Sequence, residues 1–297
     1  MLSTFKDWEI TADSSFLGDL HSPETISWRD DSGPLVVSYV DAPGAGHYRL
    51  RQGDQLIVDV CEPRRIVARA VAGTPKATLD HFLTDQVFPR VMAHEGQFII
   101  HAAATRFGKN AVLFMGASGR GKSTLATSFD RAGLPLLGDD AMVISWSDGK
   151  PRAKAVYPSL RLFPDSMAAL IPTGVSTSDI ALHSAKQRVN FPAGEKRALH
   201  SLPVEAIFAI GAPTYDDRIH VRRLKIAEAC IALIENSFAL DPTDIERARD
   251  RLAKASEVAR AIPAFEIFYP RDYERLPAVR SAILAKLAAE HPSDGPV

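Results

Sequence analysis

Residues 116–124 read GASGRGKST, in which Gly116 is followed after four residues by Gly121-Lys122-Ser123, the spacing of a phosphate-cradling loop. A triphosphate concentrates several negative charges, and a protein meets them best with donors already fixed in place. Backbone N–H groups of Ser118, Gly119, Arg120, Gly121, Lys122 and Ser123 can converge in a turn that glycine permits. The positive end of a helix starting there adds to their field. Lys122 then supplies a mobile cation for the β and γ phosphates, the Ser123 hydroxyl a ligand for Mg²⁺, and Thr124 a further hydroxyl beside the binding loop.

Three other sets of residues can join such a loop. Asp139 and Asp140 follow Lys122 by 17 and 18 positions, at the predicted end of the next strand and so on the sheet edge where ligands of open α/β folds gather. One carboxylate there can hold the Mg²⁺ shell and the other can take a proton from an incoming hydroxyl, which is most of what phosphoryl transfer asks of a protein. His101 is predicted opposite Gly116, to within two residues, if the chain turns between residues 108 and 109. Arg161, Lys186 and Arg188 offer cations for phosphates or an acidic substrate, and Lys186 and Arg188 read equally well as a solvated basic loop.

These residues need elements to place them. The stretch QFIIHAAATRFGKNAVLFMGASGRGKST reads as two strands joined by a tight turn at residues 108–110, the second running into the glycine loop. KSTLATSFDRAG follows as a short helix, with Leu125 and Phe129 on one face and Gly133 as its stop. LPLLGDDAMVISW and PRAKAVY return to strand character. Residues 158–203 are rich in turn formers, and loops and short pieces are expected there.

PVEAIFAI and RIHVRRL are two more strands. Helices follow over KIAEACIALIENSF, over PTDIERARDRLAKASEVARAI with Asp241 as N-cap, and over PAVRSAILAKLAAE. In the second helix Ile245, Ala248, Leu252, Ala255, Ala259 and Ile262 form a stripe for a core or an interface. Upstream, TISW, LVVSYV, YRLR and LIVDV between turn formers make a mostly antiparallel β region. A helix over residues 77–96 ends it, bent at Pro89 and closed by Gly96. Two domains are expected, residues 1–96 and 97–297.

Composition narrows the partners. The 297 residues are 46% hydrophobic and 24% charged, with 35 basic against 36 acidic, so no global field favours nucleic acid or a membrane surface. No apolar run reaches the length that spans a bilayer. Cys61 and Cys230 lack metal-ligand spacing and suit a reducing cytoplasm as core thiols.

The ordered set IIHAAATRFGKNAVLFMGASGRGKST…GLPLLGDD resembles the core of the HPr kinase/phosphorylase family and its related branch, over about residues 97–146. The resemblance implies an α/β fold with a P-loop kinase core of HPr kinase and phosphoenolpyruvate carboxykinase type, built on a mixed sheet. It implies an ATP- and Mg²⁺-dependent serine kinase in which Lys122 and Ser123 bind phosphates and metal. Asp139 would be the base facing the substrate serine, Asp140 would sit near the metal, and His101 would support the pair.

Bifunctional members carry a segment of the type LEVRGLG after the doublet. Its counterpart here, SLRLFPDS, keeps Arg161 but has Ser159 in the acidic position, which leaves dephosphorylation open. The related branch includes kinases of lasso peptide precursors, so a peptide or small protein bearing an acceptor serine is the implied partner. The family's rings of subunits imply a homo-oligomer.

Rival readings are a small-molecule kinase or carboxykinase-like enzyme, and a nucleotide-driven switch. The Asp-Asp pair fits the first equally well. Against the second, none of the three asparagines, Asn110, Asn190 and Asn236, begins a guanine-reading NKxD tetrad, and no LSGGQ occurs.

Overall fold

The computed structural model describes residues 5–13, 24–29, 34–41, 46–62, 64–157, 159–181, 184–190, 201–214 and 217–290. The chain divides into two compact units. One comprises Met1–Glu95 with Asp179–Ser184 and Ala239–Asp244, and the other the remainder.

The first unit is built on a six-stranded sheet of β1 (Glu9–Asp13), β2 (Glu24–Arg29), β3 (Leu35–Val40), β4 (His47–Gln52), β5 (Leu56–Cys61) and β6 (Arg65–Ala70). The spatial order is β1-β6-β5-β4-β3-β2, and every pairing is antiparallel except β1 with β6. Leu50, Val58, Ile66 and Ala68 are fully buried, and along β6 the buried Ile66, Ala68 and Ala70 alternate with less buried neighbours. The predicted helix after the sheet forms without interruption over residues 76–94 but widens in its middle. Helices α1 (Lys76–Phe82) and α2 (Phe88–His94) are joined by a π-helical turn, Leu83–Val87. Pro89 near the start of α2 cannot donate an N–H to the preceding turn, and the wider turn accommodates that loss.

The second unit carries the remaining strands: β7 (Phe98–Ile100), β8 (Ala102–Phe107), β9 (Asn110–Met115), β10 (Leu136–Gly138), β11 (Met142–Ser147), β12 (Lys150–Ala155), β16 (Leu202–Ile210), β17 (His220–Arg223) and β18 (Ala264–Phe268). They form one mixed sheet in the order β10-β8-β9-β16-β12-β11-β7, with β18 beside β16 and β17 beside β18. Strand β16 runs parallel to β9 and β18, while β8 runs antiparallel to β9 and β10. The carboxyl ends of β9, β10, β16 and β18 therefore share one edge with the amino end of β8. A separate small sheet joins β13 (Arg161–Leu162), β15 (Gln187–Val189) and β14 (Thr177–Asp179), and helix α4 (Pro164–Leu170) follows β13.

Alternation along β9 divides the core between the two faces. Leu113 and Met115 pack with Ala229 and Leu233 of α5 (Ile226–Glu235) and with Ala255, Val258 and Ala259 of α6 (Ile245–Ala261). Val112 and Phe114 pack with Leu125 and Phe129 of α3 (Lys122–Arg131) and with Val279 and Ile283 of α7 (Leu276–Glu290). Phe114 stacks on Phe129 at 5.4 Å between ring centroids, and Phe208 on Phe265 at 5.1 Å.

Two expectations change here. The run 97–107 is two strands, because β7 pairs with β11 and β8 with β9, with His101 at the break. Helix α6 begins at Ile245 rather than Pro242. The Asp241 carboxylate accepts from Thr243 N at 2.8 Å and so caps a preceding turn. Of the stripe along α6, Ala255, Ala259 and Ile262 are buried, whereas Ile245 and Leu252 face solvent.

Candidate active site

The shared sheet edge gathers the chemistry-bearing residues from strand ends. From β9 the chain enters the glycine loop, and the pairing Ala102–Met115 leaves His101 and Gly116 one step beyond the last rung of the ladder. Gly116 has φ +141°, and a Cβ there would lie 2.9 Å from the Ile210 carbonyl oxygen at the end of β16. Close backbone approach therefore requires glycine at this position. Gly121, at φ +96°, starts α3, and no side chain caps that helix. The free N–H groups of its first turn face the loop, as an anion site requires.

Lys122 is buried and folds back on the loop, donating from Nζ to the Gly116 carbonyl at 2.7 Å and the Ala117 carbonyl at 3.2 Å. Burial pulls its ammonium down to about 8, against the opposing pull of Asp140 and Asp139. The next residue, Ser123, donates from Oγ to Asp139 Oδ1 at 2.9 Å.

Asp139 and Asp140 follow β10 and are both buried, but their surroundings differ. Asp139 is 1% exposed, and its Oδ2 accepts from the Arg161 backbone N–H at 3.3 Å. Burial, reinforced by the neighbouring Asp140 charge, pushes the Asp139 carboxyl up to about 7. Asp140 lines the cavity beside the loop and pairs with the Arg161 guanidinium at 2.7 Å. Burial alone would raise its carboxyl too, but Arg161, Lys186, His101 and Lys122 outweigh it and hold Asp140 well below the usual carboxylate range. The two carboxyls thus titrate unequally: Asp140 stays anionic, and Asp139 is the one that takes up a proton as pH falls through about 7. Asp140 also has a left-handed backbone, φ +71°, a strained conformation for a non-glycine residue.

The His101 ring Nδ1 lies 2.8 Å from the Asp140 carbonyl oxygen. A carbonyl only accepts, so Nδ1 carries the proton. The same Arg161 Nη2 that pairs with Asp140 also donates to the Tyr157 hydroxyl at 3.0 Å.

A cavity of about 380 Å³ opens over the loop, lined by Ser118 to Thr124, His101, Asp140, Arg161 and Lys186. Tyr269, Arg271, Asp272, Tyr273 and Leu276, from the segment after β18, also line it. The Lys186 ammonium stands 5.4 Å over the half-exposed Phe163 ring at the rim. Arg188 sits opposite Arg161 in the small sheet and does not line the cavity. Among the described residues, no three His, Cys, Asp or Glu side chains cluster to hold a metal on their own. The donor set of Ser123 and the doublet fits a hard cation such as Mg²⁺, which characteristically takes one or two protein ligands and completes its shell with phosphate and water.

Several contributors carry no motif. Asn236, just past the end of α5, accepts the Gly116 N–H on its side-chain Oδ1 at 3.0 Å and the His101 N–H on its backbone carbonyl at 2.6 Å. It ties the first glycine of the loop to the histidine. Thr124 Oγ1 and Ser166 Oγ are 3.0 Å apart, and Ser166 Oγ and the Tyr273 hydroxyl 2.9 Å. The Arg271 guanidinium donates to the Gly119 carbonyl at the loop apex. An asparagine at a helix end signals a cap, but its spacing gives no clue to partners 120 and 135 positions away.

No family model matches the chain, and no curated protein matches it. Among solved structures it is similar to the HPr(Ser) kinase/phosphatase from Coxiella burnetii, with 14% sequence identity and a TM-score of 0.35, over 66% of this chain and 99% of that one.

Proposed function

We propose that this chain is a phosphotransferase that moves the γ-phosphoryl group of ATP to a serine hydroxyl of a peptide or small protein. One observation carries the reading: the uncapped start of α3, Lys122, Ser123, Asp140 and His101 border one cavity at one sheet edge, with Asp139 buried directly behind Ser123 and bonded to its hydroxyl.

In this reading the loop N–H groups and Lys122 take the β and γ phosphates. Ser123 and Asp140 are the residues that would hold Mg²⁺, which when bound offsets charge on the transferring group. The acceptor oxygen forms its bond to the γ phosphorus as the bond to the β–γ bridging oxygen breaks. The hydroxyl proton passes to the doublet and comes to rest on Asp139, whose carboxyl, raised to about 7, suits a general base at neutral pH. Asp140 stays anionic under Arg161, and His101 holds the doublet's backbone through its Nδ1–H.

The experiment is transfer of labelled γ-phosphate to candidate serine peptides by the wild type and by Asp139→Asn. Transfer at least about a hundredfold slower in the variant, with ATP binding kept, is expected for loss of a general base. Equal rates would remove Asp139 from the mechanism.

A further inference from the structure

We infer that the end of the cavity away from the aspartate doublet holds the nucleoside of the triphosphate, with the Tyr273 ring as the surface on which the base lies. The inference rests on the phosphate-loop reading above and extends it to the other end of the ligand.

The direction follows from the order of side chains along the loop and helix. Lys122 and Ser123 stand at the doublet, which places the γ phosphate there. Thr124, the next residue, has its hydroxyl against Ser166 rather than the doublet, and Ser166 in turn meets the Tyr273 hydroxyl. Tracing a triphosphate from its γ end towards its α end therefore leads to the segment 269–276.

That wall is rigid. Ser166 is 4% exposed and holds the Tyr273 hydroxyl, while Asp272 Oδ1 accepts from Glu274 N at 2.8 Å and fixes the turn bearing the ring. Arg271 bonds the same segment to the loop apex at Gly119. Buried Leu276 lines the cavity beside Tyr273. An aromatic ring locked by its own hydroxyl presents a pre-oriented face at little entropic cost, which suits stacking of a planar base.

Calorimetric titration of the full chain with ATP and with inorganic tripolyphosphate, both in excess Mg²⁺, separates the ring from the loop. The wild type is expected to bind ATP at least about tenfold more tightly than tripolyphosphate, in line with the strength of base–aromatic stacking. Tyr273→Ala should lose at least about fivefold for ATP while tripolyphosphate stays within about twofold. Tyr273→Phe should keep ATP binding within about threefold, because the ring rather than the hydroxyl makes the contact. Equal losses for both ligands in Tyr273→Ala, or ATP binding no tighter than tripolyphosphate in the wild type, would overturn the inference and leave the loop reading standing. A wild type that binds neither ligand would overturn both.

Discussion

Replacing Asp139 with asparagine should make the protein more stable at pH 8 and slightly less stable at pH 4. The Asp139 carboxyl is raised from the ordinary 3.8 to about 7, chiefly by burial. Between those values the folded state binds a proton that the unfolded state has released, so stability falls as pH rises through the window. A shift of about three units corresponds to roughly 4 kcal/mol at full ionisation, at 1.36 kcal/mol per unit. Asparagine does not titrate and can still accept from Ser123 Oγ, but its amide does not reproduce both acceptors, which costs about 1 kcal/mol at every pH. The net expectation is a variant more stable by up to about 3 kcal/mol at pH 8 and less stable by about 1 kcal/mol at pH 4. The low-titrating Asp140 is present in both proteins and drops out of the comparison to first order. Urea unfolding of both proteins across pH 4 to 8 measures the difference directly. A difference that does not change with pH would mean that Asp139 ionises as an ordinary carboxylate, and the argument for a base poised near neutrality would fail.

Arg161→Met should destabilise by about 3–5 kcal/mol, because it strands the buried Asp140 charge, and adding Asp140→Asn should recover much of that loss; a melting temperature within a degree of wild type would show that the pair is not desolvated. Gly116→Ala should cost about 1–3 kcal/mol and weaken ATP binding at least about tenfold, since its Cβ meets the Ile210 carbonyl and its φ is unsuited to alanine; unaltered calorimetric affinity would mean that the loop tolerates the shift.

Local signals in the sequence reach a long way toward this site. The glycine loop, the left-handed stop at Gly133 and the strand before the doublet are dictated by residues close to one another, and a tight turn near residue 108 fixes the register that sets His101 against Gly116. What escapes is long-range. The break at His101 arises because β7 finds its partner in β11, about 40 residues downstream, and no property of residues 98–107 announces it. Arg161 stands out as a basic residue, but its pairing with Asp140 and Tyr157 depends on how the small sheet packs. Asn236, Ser166 and Tyr273 act through bonds to residues more than 40 positions away. The exposed half of the α6 stripe shows the converse, apolar spacing that the fold does not bury.

In the proposed function a triphosphate binds on the loop with Lys122 against it. Calorimetric titration of Mg·ATP into the wild type and Lys122→Met tests it, because methionine fills the buried volume without the charge. Loss of the charge-assisted bonds predicts affinity weaker by about ten- to a hundredfold in the variant. Superimposable isotherms for the two proteins would contradict the assignment of the lysine, and with it the account of the site.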